Sequence, residues 1–216
     1  SMYVLRAKVE IKCSPEDLNY FLVDKSGIQK LPNNLISIPQ NKMQTTLNHN
    51  RSVSLTMLDG PKNYFFVFGY KKEISKLHNA IYSAEINPCN WNEVHIENII
   101  PNIFNETQDL YIPQSVNLDL IDAINFKKGC YTGQEIVART HYLGKPKRRM
   151  YLGSVELNKN PDLGSDIKVG DEKVGSLVNY YKQKNDVFRI LVELRIEKVD
   201  AQPTLNGNEI LSLKMQ

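Results

Sequence analysis

The sequence predicts an α+β protein in two parts, a mixed helix-and-strand region over residues 1–147 and a small C-terminal antiparallel β-barrel over residues 148–216. Two observations support this division. Before Gly144, segments with the period-two alternation of strands are interspersed with segments of helical period. After Gly144, short apolar runs are separated by turn-forming residues and no helical period is found, which is typical of small antiparallel barrels.

The overall composition is that of an ordinary globular protein. The chain has 216 residues, of which 41% are hydrophobic and 24% charged. No apolar run approaches the ~20 residues of a membrane-spanning helix, and the first residues lack the apolar region of a signal peptide. Cys13, Cys89 and Cys130 are far apart and form no CxxC pattern, which argues against a disulfide framework or a zinc site. We therefore expect a cytoplasmic protein without a metal site.

The first part begins with four predicted strands and two predicted helices. Residues 3–11 alternate between apolar and charged side chains, as a half-buried strand does. Further strands are predicted at 19–23, 52–58 and the aromatic-rich 64–70, and helices at 71–82 and 91–98. His78 lies on the apolar face of the first helix, so we expect it to be packed rather than to bind a ligand.

The second part contains four predicted strands. They lie at residues 150–157, 173–181, 187–197 and 209–214. The Asn206–Gly207 pair between the last two strands is a strong signal for a tight hairpin turn, because both residues tolerate positive φ.

Positive charge is concentrated in one segment. The net charge is only +3, but residues 127–149 contain seven Lys or Arg residues and one acidic residue, Glu135. Such a cluster suits an anionic partner: a phosphate, a polyglutamate tail or RNA. A solvated surface loop explains the charge equally well.

The basic segment begins with residues 127–135, KKGCYTGQE. Thr132 and Glu135 have the spacing of a capping box, which predicts a short helix that starts there and ends near Gly144. Glycines in this segment permit a tight turn. Glu135 is interpreted as a capping residue more readily than as a general acid or base.

Cys130 stands immediately before this predicted helix. The helix dipole, together with Lys127 and Lys128, would stabilise a thiolate and lower the pKa of the thiol. Composition alone leaves open whether Cys130 is such a reactive thiol or a small buried side chain.

Three motifs carry a resemblance to a known family. KKGCYTGQE contains the pattern K-G-C-Y-x-G-Q-E, residues 111–118 (YIPQSVNL) resemble F-I-P-Q-x-x-N-L, and residues 136–139 with Gly144 and Lys147-Arg148 continue the similarity. On these residues the chain is identified as a member of the YgfZ family, folate-binding proteins related to the glycine-cleavage T-protein. The resemblance implies that residues 1–147 are part of a T-protein-like folate-binding domain. It also implies that an N-terminal part of about a hundred residues, the size of a small domain, is missing.

The resemblance also implies the site residues. Residues 91–101 (WNEVHIENIIP) are similar to the family pattern W-x-x-x-x-I-E-A-G-x-P, which assigns Trp91 and Glu97 to the pterin site. Asn98-Ile99 replaces the Ala-Gly of that pattern. Cys130 would be the functional thiol, within a folate-binding loop shaped by Lys128, Tyr131, Gln134 and Glu135.

The function implied by the resemblance is that of a factor that binds tetrahydrofolate or another reduced folate. It would support the maturation or repair of iron–sulfur proteins and thereby tRNA modification. The expected partners are folate and iron–sulfur proteins or tRNA-modifying enzymes, without a membrane and without direct nucleic-acid binding. Whether the function is catalytic is left open. The alternatives are an aminomethyltransferase of the T-protein type and an RNA-binding module that uses residues 127–149.

Overall fold

The structure, a computed structural model, has two compact units. It describes residues 16–31, 35–59, 63–81, 90–127, 129, 131, 133–183 and 185–215. Contacts between residues place 1–89 in the first unit and 90–216 in the second. The division predicted between residues 147 and 148 stays a prediction. The strand predicted at 3–11 lies outside the described residues.

Within its described residues, the first unit contains a four-stranded antiparallel sheet. Its elements are β1 (Leu18–Asp24), α1 (Lys25–Ile28), β2 (Thr45–Leu47), β3 (Val53–Met57), β4 (Tyr64–Tyr70) and α2 (Lys71–Ile81). The strand order is β1-β4-β3-β2, and each neighbouring pair is antiparallel. The strands predicted at 19–23, 52–58 and 64–70 are thus confirmed. The sequence analysis missed β2 and α1, which are too short to show a period.

Helix α2 covers the core of this first unit. Its residues Ile74, Leu77 and Ile81 are buried and belong to one cluster with apolar side chains of the sheet. Their spacing of three and four residues is the apolar stripe expected of an amphipathic helix. His78 packs edge-on against Phe21, with ring centroids 5.4 Å apart, so the prediction of a packed histidine is confirmed.

The second unit begins with helices and turns and continues into strands. Helix α3 (Trp91–Glu97) confirms the predicted helix at 91–98. Two single 3-10 turns follow, at Asn105–Thr107 and Pro113–Val116, and then α4 (Gln134–Tyr142).

Seven antiparallel strands then form a nearly closed barrel. They are β5 (Arg148–Glu156), β6 (Asp166–Val169), β7 (Glu172–Lys182), β8 (Val187–Arg195), β9 (Thr204–Leu205), β10 (Asn208–Glu209) and β11 (Leu211–Lys214). The strand order is β10-β9-β6-β7-β8-β5-β11, so only Ile210 separates the two edge strands in sequence. Asn206 and Gly207 form the turn between β9 and β10, both with positive φ. The predicted barrel and hairpin turn are therefore confirmed.

The long barrel strands are buried on both faces. Tyr151 and Val155 of β5 point into the barrel core, whereas Met150 and Leu152 belong to a second cluster. This alternation follows from the period of two residues in a strand. Ile96 of α3 and Val116 of the second 3-10 turn complete the second cluster, so α3 and this turn rest on the outer face of the barrel.

The mixed helix-and-strand class is thus observed, while the assignment of the first part to a T-protein-like folate-binding domain stays a prediction. None of the helices in the described ranges is long and apolar enough to cross a membrane.

Candidate functional site

The short helix α3 is fixed at both ends by side chains. Asn90 caps its start by accepting a hydrogen bond from the Asn92 amide at 2.8 Å. The Asn92 side chain donates to the Tyr180 carbonyl oxygen at 2.8 Å and accepts from the Asn179 side-chain amide at 2.7 Å. These bonds attach the helix to β7, so the positions of Trp91 and Glu97 are set by the barrel.

Glu97 is a buried carboxylate with barrel partners. The residue is only 4% exposed. Its Oε1 accepts a hydrogen bond from the Tyr181 hydroxyl at 2.7 Å and one from Arg189 Nε at 2.9 Å. A buried carboxylate is stable only when it is paired and hydrogen-bonded, and the Arg189 guanidinium supplies the opposite charge. Glu97 is therefore held in one orientation by two neighbouring strands.

Tyr181 is coupled to this carboxylate. Burial raises the pKa of the Tyr181 hydroxyl, and its hydrogen bond to Glu97 raises the pKa further, because ionisation would place two negative charges side by side. The Gln183 side chain donates to the same hydroxyl oxygen at 3.2 Å. Glu97, Tyr181, Arg189 and Gln183 thus form one polar network.

Trp91 and Asn98 lie at the two ends of the same helix. The Trp91 indole is half-buried, and its ring lies 5.4 Å from that of His95. Asn98 follows Glu97 directly and is 1% exposed. Neither atom of its side-chain amide has a hydrogen-bond partner among the described residues. A buried amide without a hydrogen-bond partner lowers the stability of the folded protein. The Asn98 amide could therefore bind a polar group other than those of the described residues.

The second 3-10 turn connects α4 to the barrel. Gln114 donates from Nε2 to the Val137 carbonyl oxygen of α4 at 2.6 Å. Asn117, with φ of 62°, donates to the Met150 carbonyl oxygen at 2.8 Å and accepts from the Met150 amide at 3.1 Å. The residues of the YIPQSVNL motif therefore position α4 on β5, a role that the motif did not reveal.

Helix α4 begins one residue later than its predicted cap. Gly133 is the N-cap, with φ of 84°, and makes no side-chain capping bond. The Gln134 side chain instead reaches back and accepts from the Tyr131 amide at 3.2 Å. Glu135 is consequently the second residue of the helix and exposed. The helix predicted to end near Gly144 is thus present and starts at Gln134, while the capping box stays a prediction because Thr132 lies outside the described residues.

Of the remaining predicted loop residues, the structure describes two, Tyr131 and Gln134. Tyr131 is half exposed and Gln134 is partly buried. Cys130 and Lys128 lie outside the described residues. The structure thus joins Tyr131 to Gln134 by a hydrogen bond and places Trp91 and Glu97 on one helix. Helix α3 packs on the second hydrophobic cluster through Ile96, and α4 is joined to the turn that carries Val116 by the Gln114–Val137 hydrogen bond.

Two residues of the basic segment are structural. Arg149 forms a two-pronged ion pair with Asp119, at 2.5 and 2.9 Å, and also donates to the Gln114 carbonyl oxygen. Arg148 pairs with the buried Glu193 at 2.7 Å, and burial nevertheless raises the pKa of the Glu193 carboxyl. The charge of these two arginines is thus already used within the protein, and a count of charges along the sequence could not show this.

Arg189 was missed by the sequence analysis. The sequence does contain an indication of its role, because Arg189 is a charged residue inside the strongly apolar strand VFRILVELR. A charge in the middle of such a strand requires a buried partner.

Comparison with curated proteins shows several similar chains. The chain is 43% identical over 96 residues to the tRNA-modifying protein YgfZ of Aliivibrio fischeri, which is 43% of this chain and 30% of that protein. It is 30% identical over 175 residues to the protein of the same name from Blochmanniella pennsylvanica, or 79% of this chain and 52% of that protein. It is 32% identical over 176 residues to the protein of the same name from Buchnera aphidicola, which is 79% of this chain and 54% of that protein. The chain thus spans about half the length, or less, of these relatives. No family model matches it.

Proposed function

Because the chain belongs to the YgfZ family, whose curated members are named tRNA-modifying proteins, we propose that it binds a reduced folate such as tetrahydrofolate. We further propose that it acts in the maturation or repair of iron–sulfur proteins and, through them, in tRNA modification. The observation that carries this proposal is the buried carboxylate of Glu97, oriented by Tyr181 and Arg189.

The chemistry of the residues around Glu97 fits a pterin. A fixed carboxylate is a good acceptor for the paired N–H donors of a 2-aminopteridine ring. The Asn98 amide, buried and without a described partner, offers a donor and an acceptor directly beside it. The Trp91 indole offers a flat face for stacking. A bound reduced folate would supply one-carbon chemistry at its ring nitrogens, and these residues would bind and orient it.

Titration of the protein with 5-formyltetrahydrofolate tests the site. The chain has a single tryptophan, so its fluorescence reports on Trp91, and calorimetry gives the affinity independently. Glu97→Gln keeps the shape of the side chain but removes its charge, so we expect the affinity to fall about tenfold or more. The matched control is Glu193→Gln, another buried carboxylate paired with an arginine.

The two variants separate a binding role from a structural one. We expect Glu193→Gln to leave the folate affinity unchanged. Equal losses in both variants would mean that Glu97 acts only in stability, and a wild-type protein without folate affinity would refute the proposed function.

Cys130 is proposed as the functional thiol, on the strength of its place between basic residues and the start of α4. In a Cys13→Ser/Cys89→Ser background, the rate of alkylation by iodoacetamide should rise with pH. The pH at the midpoint of this rise should lie below ~8.5, the pKa of a free cysteine. A midpoint at or above that value would remove the argument for an activated thiol.

A further inference from the structure

Helix α4 presents an apolar and aromatic face to solvent. Its buried side chain is Val137, and the opposite side carries Ile136, Tyr142 and the following Leu143, which are 60%, 66% and 83% exposed. A soluble surface rarely shows this much apolar area on a single short helix unless the surface binds a partner.

Aromatic rings form a cluster at the C-terminal end of α4. Phe126 and His141 are stacked, with centroids 3.7 Å apart and an angle of 13° between the rings. Tyr142 stands edge-on to both rings, at 6.3 Å from Phe126 and 4.7 Å from His141. His141 and Tyr142 are exposed, so planar faces in this cluster are accessible.

Four cations flank the aromatic cluster along the chain. Lys127, Arg139, Lys145 and Lys147 are exposed, and none of them forms an ion pair with a residue in the described ranges. Arg148 and Arg149, in contrast, are paired internally. The charge of Lys127, Arg139, Lys145 and Lys147 is therefore available to a ligand, and segment 127–149 contains one acidic residue, Glu135.

We propose that this α4 surface, formed by Phe126, Lys127, Arg139, His141, Tyr142, Lys145 and Lys147, binds an unpaired stretch of RNA directly. Exposed rings among unpaired cations are the combination that binds single strands, since bases stack on the rings and phosphates contact the cations. In a duplex the bases are stacked inside the helix, so only its phosphates could contact this surface, through the cations. A protein partner would have to be acidic and would not require stacked rings. This inference goes beyond the proposed function, in which tRNA is reached through other proteins.

Fluorescence anisotropy with a labelled single-stranded RNA of twelve uridines tests the charges, without any folate present. Each phosphate contact should contribute about −0.7 to the slope of log K against log salt concentration, so four cations give a slope of about −3. Arg139→Gln/Lys145→Gln should reduce the magnitude of this slope by about 1.4. The matched control, Lys159→Gln/Lys168→Gln, removes two exposed lysines on the barrel and should leave the slope unchanged.

Tyr142→Ala tests the stacking. We expect about a tenfold loss of affinity with an unchanged salt slope, because a stacked base is lost while the phosphate contacts remain. Tyr70→Ala, at a tyrosine that is 56% exposed in the other unit, is the control and should have no effect. A duplex of the same length should bind more weakly than the single strand.

Several outcomes would overturn the proposal. One is an absence of RNA binding at 50 mM salt. Another is an equal change of the salt slope in the two double glutamine variants. A third is an equal loss of affinity in Tyr142→Ala and Tyr70→Ala. Sedimentation velocity provides a further check, because a dimer that is lost in Tyr142→Ala would show that this surface pairs with a second copy of the chain instead.

Discussion

Tyr181 links the stability of the protein to pH through its hydroxyl group. Its pKa in the folded protein is above the usual value of 10.0 because of burial and its bond to Glu97. The folded state therefore holds this proton more tightly than the unfolded state does. The stabilisation is fully present below pH 10 and is lost as the pH rises further.

Tyr181→Phe removes this titration. At pH 7 we expect the variant to lose about 1 kcal/mol of unfolding free energy, since one hydrogen bond to a charged group in a half-buried place is removed. Between pH 9 and 11 its stability should fall less steeply than that of the wild type. Urea unfolding at several pH values measures both effects, with Tyr142→Phe as the control at an exposed tyrosine. Parallel pH profiles for wild type and Tyr181→Phe would contradict the coupling.

Individual site residues were only partly predictable from the sequence. Trp91 and Glu97 are candidates because they belong to one contiguous motif. Their partners Tyr181 and Arg189 are 84 and 92 residues from Glu97, so no local pattern relates them. The same holds for Asn117 and Met150, which are 33 residues apart. Such pairings are set by packing of the barrel rather than by local propensity.

Strand β7 shows how closely two barrel strands approach each other. A side chain at Gly175 would place its Cβ 2.0 Å from the Glu193 carbonyl oxygen of β8. That distance is far below van der Waals contact, so only glycine permits the observed pairing of these strands.

Gly175→Ala should consequently separate β7 from β8 locally. We expect a loss of about 1 to 3 kcal/mol of unfolding free energy, as in other overpacked sites. The control is Gly144→Ala, whose Cβ would have no neighbour closer than 3.6 Å and should change stability little. Thermal unfolding of both variants measures the difference. Similar melting temperatures for the two would argue against the close approach.

At the level of elements, long segments with a clear period were predictable and short ones were not. β4 and α2 were located to within a residue because each spans enough residues to display its period. β2 and β9 have three and two residues, and their pairing depends on neighbouring strands. α4 starts at Gln134, after Gly133 with its positive φ, one residue later than the capping-box spacing predicts.

The whole molecule has separate hydrophobic cores in its two units. One cluster lies within residues 21–81, and the other two lie within residues 96–213. A unit that contains its own core can fold alone. Membership of these cores depends on contacts between residues distant in sequence, which no local pattern of side chains reveals.

We therefore expect residues 90–216 to fold without the rest of the chain. The isolated piece should show a cooperative thermal transition and dispersed amide resonances. In the intact protein, Leu55→Ala and Leu191→Ala each empty a fully buried site, at an expected cost of about 2 to 5 kcal/mol. The first should lower only the transition of residues 1–89, and the second only that of residues 90–216. A single transition shifted equally by both would refute independent folding.

The one-residue link at Ile210 has a consequence for association between molecules. An open sheet has two edges whose free amide and carbonyl groups can recruit strands from other chains, which is a common route to aggregation. Here the strands at the two ends of the sheet order, β10 and β11, are covalent neighbours. The last few residues thus cover β5 with one strand and β9 with the other. The free edges of the sheet are thus two short strands, of two and four residues, which offer little template for intermolecular strand pairing.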